Sequence, residues 1–215
     1  MDFEPNITPR ADVIIRNESK DRYYITVAPS EIVNPGTATE KRVEEADPDK
    51  LGLLVTPNRL ILEPGGMRSI RIVSLNNALT SDRIYRVRIS PQVGDIETTQ
   101  SNVANRDMAI KLLAAYDVLV TARPNDAKAH LVTTQGDKTL VIRNDGNTNL
   151  LLFDGELCAT QPAKSKNDTT ACQGVGSHRM YPGTSWELKT GSSTDTLHAR
   201  QRLYASTEPK SVVLP

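Results

Sequence analysis

Long apolar runs are missing from this 215-residue chain. None approaches the ~18 residues that a membrane-spanning helix needs, so no membrane insertion is expected. A surplus of either charge is missing too, with 26 basic residues set against 26 acidic ones. Nucleic-acid binders carry a basic excess, and this balance points away from nucleic acid as a partner. Aromatic residues make up only 4%, with a single Trp, and no carboxylate pair stands out, which argues against a glycan-binding or hydrolytic protein. The three histidines, His130, His178 and His198, are scattered without metal-ligand spacing. Neither Cys158 nor Cys172 has the neighbours of a zinc or redox motif. There is no Gly-x-Ser-x-Gly elbow. The stretch "QGDKT" (135–139) lacks the leading glycine of a phosphate loop and reads as a hairpin turn. No catalytic residue, metal or cofactor is expected, and neither is an enzyme.

What is present is β-sequence. "ADVIIRN", "RYYITVAPSEIV", "LLVTPNRLILEP", "MRSIRIVSL", "RIYRVRISP", "KTLVIRN", "NLLLFDGELC", "TSWELKT" and "RQRLYAS" are rich in β-branched and aromatic residues. In "RIYRVRIS", Ile84, Arg86 and Arg88 share one face and Tyr85, Val87 and Ile89 the other. Turn residues punctuate these runs, as in Asn34-Pro35-Gly36 and Tyr181-Pro182-Gly183. Hydrophobic residues at 38% supply a core. The spacing predicts an all-β chain of two sandwiches, 1–124 and 125–215, joined at "ARPNDAKAH".

Cys158 and Cys172 are either two separate buried thiols or one disulfide at the base of the polar segment between them. The turn-rich "ATQPAKSKNDTTA" favours the disulfide, which would contribute about 3 kcal/mol and suit an oxidising compartment.

The segment 106–124, "RDMAIKLLAAYDVLVTARP", is ambiguous. Its Met, Ala, Leu and Lys favour a helix. Yet every even position from Met108 to Val120 is apolar or aromatic, and it ends in a β-branched run before Pro124. Among so many strands, a strand is expected over 108–120. A long apolar strand is either buried on both faces or kept at a sheet edge for pairing with another chain.

The order of these motifs resembles the periplasmic pilus chaperones of the chaperone–usher pathway, in the alternate branch serving colonisation-factor-type fimbriae. The resemblance rests on "IVNPGTATEKRV", "GLLVTPNRLILEPGGMRSIRI", "SDRIYRVRIS", the 106–124 segment, "LVIRNDGNTN", the paired cysteines and "MYPGTSWEL". It implies two immunoglobulin-like β-sandwich domains in a boomerang arrangement and no catalysis. It also implies a periplasmic location with a signal peptide removed, although "MDFEPNITPRADV" itself shows no signal pattern. The implied partners are fimbrial subunits, completed by donor-strand insertion, and an outer-membrane usher. Self-association through the donor edge is a further expectation. Counted back from Arg123-Pro124, the donor residues are Ile110, Leu112 and Ala114, with Met108 and Tyr116 flanking. Two basic residues usually anchor the subunit carboxylate. The position five before the Pro is Leu119 here, so Arg10 and Arg88 are the candidates. Arg123 matches a family position that ties the domains together, with Asp195 as its expected partner. The other reading is a structural or adhesive two-domain pilus subunit, but "MDFEPNITPR" makes a poor donor extension.

Overall fold

A computed structural model describes residues 1–3, 9–76, 78–92, 113–159 and 172–215. The chain is all-β, apart from one short helix among the described residues. In chain order the elements begin with β1 (Asp2–Phe3), β2 (Arg10–Arg16), β3 (Tyr23–Val33), β4 (Lys41–Val43) and helix α1 (Pro48–Leu51). They continue with β5 (Leu53–Thr56), β6 (Arg59–Leu62), β7 (Met67–Ser74), β8 (Arg83–Gln92) and β9 (Tyr116–Ala122). The second half holds β10 (Leu131–Gln135), β11 (Thr139–Asn144), β12 (Leu150–Cys158) and β13 (Cys172–Val175). It closes with β14 (His178–Met180), β15 (Ser185–Lys189), β16 (Thr196–Arg202) and β17 (Lys210–Leu214).

These elements form two groups of sheets. The first group packs β1-β9-β8-β3-β4, with β6 also on β3, against β2-β7-β5. The second packs β10-β11-β15 against β13-β12-β16-β17, with β14 also on β12. Each group encloses its own core. Ile25, Val27, Leu53, Ile70, Ile72, Tyr85, Val87 and Val120 lie in the first, and Leu140, Ile142, Leu152, Met180 and Leu197 in the second. Burying one such aliphatic side chain contributes roughly 1.5–3 kcal/mol.

Period-2 patterning determines which residues go inside. On β8, Tyr85, Val87 and Ile89 are buried while Arg86 and Arg88 turn away from the core. The run "LLVTPNRLILEP" is two strands rather than one. β5 joins the β7 sheet and β6, beyond the cis Thr56–Pro57 bond, pairs with β3 in the opposite sheet. "QGDKT" is the turn of the β10–β11 hairpin, closed by Gly136 N–H donating to the Thr139 carbonyl. The strand expected from "RQRLYAS" begins earlier, at Thr196, and ends at Arg202.

The loop 144–149, "NDGNTN", forms the junction between the two groups. Asn144 is fully buried. Its Nδ2 donates to the carbonyls of Thr148 (2.8 Å) and Met180 (3.0 Å), and its Oδ1 accepts from the His130 and Gly146 amides. Gly146 is needed there because a Cβ would collide with the Lys128 carbonyl oxygen and His130 nitrogen. Gly36, at φ 72°, packs against the Tyr181 ring of the second group. Cys158 and Cys172 face one another on β12 and β13 and form a disulfide.

Candidate functional site

Strand β9 pairs with β8 along its whole length, from Tyr116↔Ile89 to Ala122↔Arg83. Its other side pairs with β1, in parallel, at Thr121 and Ala122. On that side Thr121 N–H donates to the Met1 carbonyl, Arg123 N–H to the Phe3 carbonyl, and the Leu119 carbonyl accepts from the Met1 amine. Odd-numbered residues therefore direct their backbone groups outward. The N–H and C=O of Asp117 and the N–H of Leu119 lie on this edge with no partner among the described residues. The even-numbered side chains face the core side: Val120 and Ala122 are buried, Val118 is partly buried, and Tyr116 is 66% exposed.

Where β9 begins, a groove of about 230 Å³ opens at the end of the first sandwich. Ile15 of β2, Tyr23, Ile25, Leu62, Ile89 and Tyr116 give it an apolar wall, and Ala114 lies at its rim. A bare backbone edge beside apolar side chains is the requirement for pairing with an incoming strand.

The expected donor residues fall partly on this edge. Tyr116 opens β9, while Ala114 is exposed in the stretch 113–115, which is not strand. Met108, Ile110 and Leu112 lie outside the described residues. The two candidate anchor cations do not come together. Arg10 is on the outer face of the β2-β7-β5 sheet, next to Asp12 and its partner Arg71. Arg88 is on the outer face of the opposite sheet, directly across from Asp117 of β9. Asp117 itself is engaged by Arg42. The residue that shares Arg88's face is Arg86, and β-pairing sets it directly opposite Leu119. Sequence alternation already put Arg86 beside Arg88, but its pairing with Leu119 depends on a register that only the structure supplies.

Arg123 joins the two groups of sheets, though not through Asp195. Its guanidinium is fully buried. It donates to Thr148 Oγ1, to the carbonyls of Asn149 (2.9 Å) and Leu203 (2.8 Å), and to Asp2 Oδ1 (3.1 Å). Asp82 lies 3.8 Å away and is equally buried. The Asp82 carboxylate in turn accepts from Thr148 Oγ1 (2.7 Å) and from the Asn149 backbone N–H (2.6 Å) and Nδ2. Burial pushes the Asp82 carboxyl above its ordinary 3.8, with the Asn149 amide and Arg123 acting in the opposite direction. Asp195 is committed to its own turn, accepting from the amides of Gly191 (2.7 Å) and Ser192 (3.2 Å). The charge partners of Arg123 are thus Asp2 and Asp82, both from the first group, and its reach into the second is through carbonyls and a hydroxyl. No sequence signal marked Asp2 or Asp82. The "NDGNTN" loop that meets them was visible only as part of the motif "LVIRNDGNTN".

No family model matches the chain. It is 28% identical over 176 residues to a CS1 fimbrial protein of Escherichia coli, covering 80% of this chain and 71% of that one. The crystal structure of the class 5 fimbriae chaperone CfaA superposes with a TM-score of 0.74 at 21% identity, covering 99% of this chain and 93% of that one. A structure of a chaperone–tip adhesin complex of CFA/I fimbriae gives a TM-score of 0.68 at 22% identity, covering 99% and 92%. The chain has the fold of the periplasmic pilus chaperones of the chaperone–usher pathway, and its sequence likeness lies with the fimbrial proteins of Escherichia coli.

Proposed function

We propose that this chain is a periplasmic chaperone that binds fimbrial subunits by donating β9 and the segment before it, then passes them to an outer-membrane usher. The observation that carries this reading is the open edge of β9 beside the apolar groove. The incoming subunit pairs with the backbone of Asp117 and Leu119, at about 0.5–1.5 kcal/mol net per hydrogen bond. Side chains of Met108, Ile110, Leu112 and Ala114 fill the subunit's groove, each large one worth roughly 1.5–3 kcal/mol before the cost of association. Arg88 with Arg86, on the face next to β9, receives the subunit carboxylate. Without a subunit, the same edge pairs with a second copy of the chain.

The test is co-expression with the fimbrial subunits of the same system. Ile110→Asp and Leu112→Asp leave the chain folded and abolish subunit co-purification. Undiminished co-purification by both variants refutes the proposal. The likeness to a CS1 fimbrial protein keeps a second reading, that of a structural pilus component, within the same experiment. A structural component is recovered in the assembled fibre, whereas a chaperone is recovered only in soluble complexes.

A further inference from the structure

The outer face of the β13-β12-β16-β17 sheet carries arginines out of proportion to the neutral chain. Leu150, Leu152, Leu197 and Ala199 point into the second core, so Leu151, Phe153, Arg200 and Arg202 point outward. Leu151 is flanked in register by Arg202 on one side and Arg179 on the other. Two pairs further along, on the same face, Phe153 sits opposite Arg200. The guanidinium groups of Arg200 and Arg202 both lie over the Phe153 ring, 5.3 and 5.1 Å from its centroid. Asp154 engages Arg200 at 3.3 Å. Arg179 and Arg202 form no ion pair among the described residues. Arg179 donates to Asn149 Oδ1 (2.6 Å), and the buried Nε of Arg202 has no acceptor among those residues.

Two cations without a carboxylate partner among the described residues, set on an apolar floor of Leu151 and Phe153, are complementary to an acidic polypeptide segment. We infer that Arg179 and Arg202, with Phe153 between their strands, form a second client contact that takes an acidic stretch of the fimbrial subunit. This rests on the proposed chaperone function and adds a partner chemistry to it. The subunit's paired strand runs along β9 while its acidic side chains meet the second group of sheets, so capture is salt-sensitive as well as apolar.

The probe is a fluorescein-labelled hexaglutamate peptide, followed by anisotropy on the full chain. Wild-type protein binds it with an affinity that falls as salt rises, and labelled hexaglutamine does not bind. The Arg179→Ala, Arg202→Ala double variant weakens hexaglutamate binding at least tenfold. Arginine Nε–Hε resonances of wild-type protein provide a readout that needs no variant, with Arg179 and Arg202 shifting most on titration. Absent hexaglutamate binding, equal binding of hexaglutamine, unchanged binding by the double variant, or shifts confined to other arginines each overturn the inference. Subunit co-purification by wild-type protein is run in parallel. Its failure counts against the chaperone reading, while its success with a negative peptide result counts against the acidic contact alone.

Discussion

A double-mutant cycle on Arg123 tests the arrangement between the two groups of sheets. The Arg123 side chain is fully buried, and three of its four hydrogen bonds among the described residues reach Thr148, Asn149 and Leu203 across the junction. Removing one member of a buried ion pair costs about 3–5 kcal/mol, mostly because the other charge is left without compensation. In Arg123→Ala that stranded charge is Asp82, whose side chain is as buried as the arginine. At 3.8 Å, and with an effective dielectric constant of ~20, the pair attraction is about 4 kcal/mol. Arg123→Ala should therefore lower unfolding free energy by about 4 kcal/mol in urea at pH 7.5. Asp82→Ala should cost a similar amount, and the double variant much less than the sum. The coupling should be about 2–4 kcal/mol. The same cycle with Asp195 should give less than ~0.5 kcal/mol, because Asp195 is occupied by Gly191 and Ser192. Coupling of Arg123 to Asp195 that exceeds its coupling to Asp82 would refute this account of the junction.

Replacing Cys158 and Cys172 together by Ser opens a loop with a sequence separation of 14 and should destabilise the second group of sheets by about 3 kcal/mol; an unchanged urea midpoint contradicts this. His178 stacks on Trp186 at 4.7 Å with the planes 7° apart, and burial pushes its imidazole below the ordinary 6.5. As pH falls through 6.5 the unfolded chain takes up the proton first, so stability declines from there down to the lower folded-state value. Trp186 is the only indole, and its fluorescence should titrate with a midpoint below 6.5 that His178→Gln abolishes; a midpoint at or above 6.5 is the contrary result. Asp117→Pro removes an outward N–H while sparing the β8 ladder. It should weaken subunit capture at least tenfold in pull-downs where Asp117→Ala does not, and equal capture by the two variants counts against strand pairing at this edge.

Much of the fold was legible because burial in a sandwich follows a period of two. The alternation of β8 identified Tyr85, Val87 and Ile89 as core and left Arg86 and Arg88 outside, as the structure has them. The run containing Thr56 and Pro57 was harder, since its apolar residues look continuous although the chain passes from one sheet to the other between them. β16 was displaced for a related reason. Its core residues, Leu197 and Ala199, alternate with polar neighbours right after the Asp195 turn, whereas "RQRLYAS" attracts attention by its larger side chains.

The site was less legible because alternation assigns a residue to a face without saying which sheet that face belongs to. Arg10 and Arg88 both point away from the first core, yet they occupy opposite outer surfaces of the same sandwich. A position's charge likewise need not come from its own strand. Leu119 carries no base, but the register places Arg86 directly across from it, within the ~5 Å that separates paired residues. A basic group therefore stands beside Leu119, supplied by the neighbouring strand. The same logic governs Arg123, whose buried charge is met by Asp2 and Asp82 from distant points of the chain. Linear spacing from Pro124 identifies the arginine, and only the paired sheets identify the carboxylates.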